Sequence, residues 1–142
     1  MIVISSNPKH WTGFKGYVTD DSRSAKIGRF DLSDILLLRV GAEKGENKKA
    51  RIKIRQLVRR SLPGVRHAET LLQSPALIPP TWEGKCVIFP GTRLYRSDDK
   101  SVRYIYIRFD PANNKWVFGS CHSEQKLLPH FYAVVFKAAP RT

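Results

Sequence analysis

The sequence predicts a β-rich α+β domain, with small, barrel-like antiparallel strands and one basic amphipathic helix. Short runs of β-branched and aromatic residues recur towards both ends of the chain, and turn-forming residues bound them. Between these runs, one stretch changes to the period of a helix. Apolar residues make up 42% of the 142 residues, which is enough for a buried core.

The first forty residues predict four short strands, at residues 2–5, 14–19, 25–31 and 35–40. The run 35–38 also fits a helical turn, because Ser33 or Asp34 before it is a suitable N-cap. After a proline-rich segment that ends at residue 81, five more strands are predicted, at residues 85–89, 92–95, 102–110, 115–120 and 131–137. Turns at 97–100 and 111–114 join three of them as hairpins.

A basic helix is predicted over residues 48–61, with Asn47 as its N-cap and Pro63-Gly64 after its end. Five positions share its inner face, four of them apolar and the last a serine: Ala50, Ile54, Leu57, Val58 and Ser61. A weaker second helix is predicted over residues 67–73.

We expect one domain over residues 1–142, because units of about 40 residues rarely fold alone without a metal or disulfide. The alternative is two sub-units, 1–45 and 82–142, joined by the basic helix and the proline-rich segment within 46–81.

The net charge of +13 favours a partner with many negative charges, such as RNA, DNA or an anionic membrane surface. Residues 47–68 contain eight Lys or Arg and no Asp or Glu. Each cation placed near a phosphate releases a condensed counterion, so this stretch predicts salt-dependent nucleic-acid binding. The predicted contacts are Lys48, Lys49, Arg51, Lys53, Arg55, Arg59, Arg60 and Arg66. An ordinary solvated helix face is the alternative, and a membrane-surface helix is disfavoured because the apolar stripe lacks Trp and Phe.

The strand at 102–110 alternates between two sets of side chains. One set, Ile105, Ile107 and Phe109, suits a core, and the other consists of Tyr104, Tyr106 and Arg108. An exposed row of two tyrosines and an arginine predicts base stacking and phosphate contact. The alternative is that both tyrosine rings lie under the basic helix with their hydroxyl groups at its edge.

Residues 11–20, WTGFKGYVTD, and residues 25–27 resemble the KOW motif of transcription elongation factors and several ribosomal proteins. The resemblance covers residues 2–30 and implies an SH3-like barrel that binds RNA or a polymerase surface. It places Phe14 and Val18 in the core, with Gly13 and Gly16 at a tight bend. It turns Lys9, Lys15 and Arg23 towards RNA or protein. The sequence departs from the motif in lacking a basic residue just before Gly13.

Catalysis has weaker signals. Asp110, Glu124 and Lys126 loosely match the spacing of a superfamily of Mg²⁺-dependent nucleases, and this is one alternative function. The adjacent Cys121 and His122 have no second pair at metal-ligand spacing, so we expect no metal site. We also expect no cofactor and no catalytic residue.

The predicted function is therefore nucleic-acid binding, with RNA favoured and DNA possible, in a subunit of a larger nucleoprotein complex. The second alternative is a protein-interaction module for an acidic partner. Two cysteines, Cys86 and Cys121, suit buried thiols in a reducing compartment, either cytoplasmic or nuclear. The N-terminus shows no signal-peptide pattern, and no apolar run has the length of a membrane span.

Overall fold

The computed structural model describes residues 2–3, 18–20, 29–30, 32–41, 48–57, 62–96 and 100–137. Its strands are β1 (Ile2–Val3), β2 (Val18–Asp20), β3 (Arg29–Phe30), β4 (Ile35–Arg39), β5 (Cys86–Arg96), β6 (Ser101–Asp110), β7 (Lys115–His122) and β8 (Phe131–Phe136). Its helices are α1 (Ala50–Gln56) and α2 (Val65–Gln73). Three short 3-10 turns cover Leu32–Asp34, Pro75–Leu77 and Pro80–Trp82.

The main sheet is open and mixed, with strand order β4-β8-β5-β6-β7. β5 and β8 run parallel, and the other pairs are antiparallel. β2 pairs with β5, and β1 and β3 form a separate two-stranded sheet. The described strands do not close into a barrel, because β4 and β7 lie at opposite edges of this order. For the described residues, the expectation of barrel-like antiparallel strands is therefore corrected, whereas the β-rich α+β class is confirmed.

Most strand predictions are confirmed where they fall on described residues. Residues 35–39 form a strand that pairs with β8, so the helical-turn alternative for this run is wrong. The two strands expected at 85–89 and 92–95 form one strand, β5, whose pairing with β6 shifts register between Ile88 and Arg93. β4, from the N-terminal part of the chain, pairs with β8, from the C-terminal part. The assignment of one domain or two sub-units stays a prediction.

The shift in β5 lies at Pro90-Gly91, where the chain before α2 passes against the strand. The Gly91 amide donates to the Pro63 carbonyl oxygen at 2.8 Å. One residue later, the Thr92 hydroxyl oxygen accepts from the Val65 amide at 2.9 Å, at the start of α2. Proline has no amide hydrogen, so it interrupts the ladder at this point. The same bend therefore accommodates the segment that leads into α2.

The sheet is covered on both faces. β7 ends at one end of the sheet and β8 begins at the other, so residues 123–130, which we call the crossing segment, pass across one face. α1 lies beside this segment and shares a core with it, which includes Ile54, Ile88, Tyr104, Leu127 and Phe131. On the opposite face, α2 and the Pro80–Trp82 turn contribute to a second core, with Ala68, Leu71, Trp82, Phe89 and Val134.

Both predicted helices have counterparts in the structure. α1 covers Ala50–Gln56 of the range 48–61, and Ala50 and Ile54 are its buried residues, as the apolar spacing predicts. Residues 58–61 lie outside the described residues, so the C-terminal part of the basic helix stays a prediction. α2 begins two residues earlier than predicted. Neither of these helices is long and apolar enough to cross a membrane.

Candidate nucleic-acid interface

α1 holds its cations away from the sheet because its apolar residues anchor the other side. Ala50 and Ile54 are 0% and 2% exposed and pack against the core of the sheet. The remaining positions of the helix are exposed or half-buried. We define the α1 surface as the cations of residues 48–55 together with one lysine of the crossing segment: Lys48, Lys49, Arg51, Lys53, Arg55 and Lys126.

The crossing segment fixes the first turn of α1 by backbone contacts. The Ala50 amide donates to the Gln125 carbonyl oxygen at 2.7 Å, and the Arg51 amide donates to the Ser123 carbonyl oxygen at 2.8 Å. Lys49 and Lys126 form an antiparallel bridge beside these bonds. Because these two amides already donate to carbonyl groups, a ligand must be contacted by side chains rather than by the backbone at the start of the helix.

Glu124 is the carboxylate that contacts α1 in the described part of the chain. Lys49 Nζ donates to Glu124 Oε2 at 2.6 Å, and Arg51 Nε donates to Glu124 Oε1 at 2.9 Å. The pKa of the Glu124 carboxyl lies below its ordinary value, mainly because of the hydrogen bond from Lys49, and the charges of both cations lower it further. One negative charge therefore offsets part of a surface that carries six positive ones.

The other predicted cations are not gathered at this surface. Arg66 is exposed on α2, which packs on the opposite face of the sheet. Arg108 is exposed on β6, about 13 Å along the strand from Tyr104, which contacts the α1 core. Arg59 and Arg60 lie outside the described residues, so their contribution stays a prediction.

The row of exposed aromatic rings is not present as proposed. Tyr104 is 6% exposed and belongs to the core beneath α1, so it cannot stack on a base in this arrangement. This burial agrees with the alternative reading, in which the rings lie under the basic helix. Tyr106 is half-buried and meets Phe131 edge to face, with ring centroids 5.6 Å apart. Burial raises the pKa of the Tyr106 hydroxyl, while a hydrogen bond with Arg108 acts in the opposite direction.

Tyr106 covers the backbone of Gly119, its directly paired residue on β7. A Cβ atom at Gly119 would lie 2.4 Å from Cζ of Tyr106, and the ring, packed against Phe131, has to move. We expect Gly119→Ala to lower the free energy of unfolding by about 1–2 kcal/mol, measured by urea denaturation. In a Tyr106→Leu background, Gly119→Ala should lower the free energy of unfolding by clearly less. If the losses of the two single variants simply add in the double variant, this contact is contradicted.

The geometry separates the residues of the nuclease alternative. Asp110 pairs with Lys115 at one end of the β6–β7 hairpin, and Arg103 pairs with His122 at the other. Glu124 follows His122, so the two carboxylates lie about 23 Å apart along the strands. Asp110 instead accepts from its own turn, where the hydrogen bond from Asn113 lowers the pKa of its carboxyl. No cluster of metal-binding side chains occurs among the residues that the structure describes.

The two cysteines are free thiols buried in the core under α1, as the sequence predicts. Burial raises the pKa of Cys121 to about 12 and also raises the pKa of Cys86. Both groups therefore stay protonated at neutral pH and are poor nucleophiles. Cys121 and His122 are consecutive in β7, so their side chains lie on opposite faces of the strand and do not form a catalytic pair.

The sequence offers no signal for the contact between Glu124 and α1, because these residues are more than seventy positions apart. Lys126 was also missed as a neighbour of the basic helix, since only the crossing segment brings it there. Comparison with known proteins finds no family model, no curated protein and no solved structure that matches this chain.

Proposed function

We propose that this protein binds nucleic acid through the α1 surface, and that RNA is its preferred form. The observation that carries the proposal is the concentration of six cations around a short helix whose other side is anchored in the core. Such a surface contacts phosphates and releases their counterions, with little dependence on base sequence.

RNA is favoured over duplex DNA for two reasons. α1 has seven residues, a length of about 10 Å, and its apolar side rests on the sheet, so it is poorly suited to enter a major groove. The resemblance of residues 11–27 to the KOW motif also supports RNA and a place in a nucleoprotein complex. On this proposal the protein works in the cytoplasm or nucleus, where such complexes occur. Most residues of the resemblance, among them Gly13, Phe14 and Gly16, lie outside the described residues.

The test uses a variant with Lys48, Arg55 and Lys126 changed to Gln. All three side chains are exposed, so the fold should be retained. We expect binding to a fluorescently labelled 20-nucleotide single-stranded RNA to weaken about 30-fold at low salt. The slope of log affinity against log salt should become shallower by about 2, because three phosphate contacts are lost. Fluorescence anisotropy over a KCl series measures both quantities.

The matched control changes Arg66, Lys115 and Lys137 to Gln, which removes the same charge from exposed positions outside the α1 surface. Its affinity should fall by no more than a few-fold. Equal losses in the two variants would overturn the assignment to α1, and absence of RNA binding by the wild type would overturn the function. Tighter binding to polyglutamate than to RNA would favour an acidic protein partner instead.

A further inference from the structure

Glu124 occupies the position between Lys49 and Arg51 in the way a phosphate group would. Each carboxylate oxygen accepts from a different cation, at 2.6 Å from Lys49 Nζ and 2.9 Å from Arg51 Nε. The two non-bridging oxygens of a phosphodiester accept from pairs of cations with the same division of contacts. The two cations therefore already have the arrangement that a bound phosphate requires.

The main chain that carries these two cations is held independently of the Glu124 side chain. The backbone of Lys49 is held by its bridge to Lys126, and the backbone of Arg51 by its amide, which donates to the Ser123 carbonyl oxygen at 2.8 Å. The turn that carries Glu124 is held separately. The Glu124 amide donates to His122 Nδ1 at 3.0 Å, and the His122 amide donates to Gln125 Oε1 at 3.0 Å. Lys49 and Arg51 should therefore remain neighbours, with both side chains able to reach one phosphate, when the carboxylate leaves.

The contact is also open to exchange. The side chains of Lys49, Arg51 and Glu124 are 51%, 37% and 46% exposed, and ion pairs at such positions contribute little to stability. A single carboxylate brings one charge, whereas an RNA strand brings several phosphates to the neighbouring cations at the same time. We infer that Lys49 and Arg51 form a phosphate subsite that Glu124 occupies in the free protein and vacates when RNA binds, an inference that rests on the proposed function.

The consequence is that the free protein partly inhibits its own binding surface. Replacing Glu124 by Gln removes the competing charge and leaves the backbone contacts unchanged. We expect Glu124→Gln to bind the labelled RNA about fivefold more tightly than the wild type at low salt. The thermal midpoint should change by less than about 2 °C, because the lost pairs are exposed.

The control for a general charge effect is Glu83→Gln, which removes an exposed carboxylate outside the α1 surface. A second comparison introduces Glu124→Gln into an Arg51→Gln background, where half of the subsite is missing. We expect Glu83→Gln to change the RNA affinity less than twofold. The gain from Glu124→Gln should shrink to about twofold without Arg51.

The outcomes separate this inference from the function on which it rests. If the wild type binds RNA through the α1 surface but Glu124→Gln gains no more than Glu83→Gln, the subsite is overturned and the function stands. An undiminished gain in the Arg51→Gln background also overturns the subsite. If neither the wild type nor Glu124→Gln binds RNA, the function itself fails. If Glu124→Gln increases the affinity for polyglutamate more than the affinity for RNA, the subsite binds carboxylates rather than phosphates.

Discussion

Replacing Gly91 by Ala is expected to lower the free energy of unfolding by about 4 kcal/mol. A Cβ atom at this position would lie 2.3 Å from the Leu62 carbonyl oxygen and 2.9 Å from that of Pro63. Both atoms belong to the backbone and cannot move aside as a side chain can, so one of the two segments must shift. The cost combines steric strain with a weakened hydrogen bond between the Gly91 amide and Pro63.

The matched control is Gly84→Ala, because a Cβ atom at Gly84 meets nothing within 4 Å. Its φ of 82° lies in the left-handed region, so this substitution should cost about 1 kcal/mol through the backbone alone. Urea denaturation of both variants separates crowding from conformational cost, and equal losses would contradict a close crossing at Gly91.

A milder variant covers the case in which Gly91→Ala does not fold. Thr92→Val keeps the shape of the side chain and removes the hydroxyl that accepts from the Val65 amide. We expect a loss of about 1–2 kcal/mol, because the amide is left buried without this acceptor. No loss would show that the bend of β5 and the start of α2 are energetically independent.

Local patterns were sufficient for most of the secondary structure. The alternation of residues 102–110 predicts β6, and the spacing of Ala50 and Ile54 predicts the buried side of α1. The strands predicted at 85–89 and 92–95 are one strand, because Pro90-Gly91 between them marks a bend and not an end. Here the register shift and the segment that passes at Gly91 let β5 continue through the bend.

Long-range pairing could not be predicted, because no local pattern encodes it. The parallel pair β5–β8 requires the crossing segment to traverse the sheet, and this arrangement buries Tyr104. Alternation correctly puts Tyr104 and Ile105 on opposite faces of β6, but it does not show that both faces of the sheet are covered. The exposed aromatic row followed from assuming that one face is open to solvent.

The candidate site could also be predicted only in part from the sequence. The run of cations was visible in the sequence, and its placement on the exposed side of α1 follows from helical periodicity. The contact of Glu124 with Lys49 and Arg51 depends on how two distant segments meet. In the sequence, Glu124 suggested a metal ligand, whereas in the structure it is a counter-ion of the basic helix.

Lowering the pH from 7 to 5 is expected to reduce the free energy of unfolding by about 2 kcal/mol through His67. This side chain is 0% exposed on α2, and its ring meets Phe136 edge to face. Burial lowers the pKa of His67 from 6.5 to about 4. Protonation would place a hydrogen on Nδ1, where the Gly64 amide now donates at 3.0 Å, so the charged ring loses this hydrogen bond.

The direction follows from proton linkage. Between pH 6.5 and 4 the unfolded chain binds a proton at His67 that the folded protein does not, so stability falls as the pH falls through this range. The full effect is about 3 kcal/mol, and it is complete below pH 4. Most carboxyl groups of an unfolded chain titrate below pH 5, so histidines dominate the interval from 7 to 5, and a variant at position 67 separates His67 from the other three.

His67→Gln provides the test. Gln at this position of the helix can still accept from the Gly64 amide but does not titrate, so the loss of stability between pH 7 and 5 should fall to below about 0.5 kcal/mol. His130→Gln, at an exposed position, is the matched control and should keep the wild-type pH dependence. Urea denaturation at both pH values gives the comparison. A pH dependence that survives in His67→Gln would show that a group other than the helix histidine couples folding to protons.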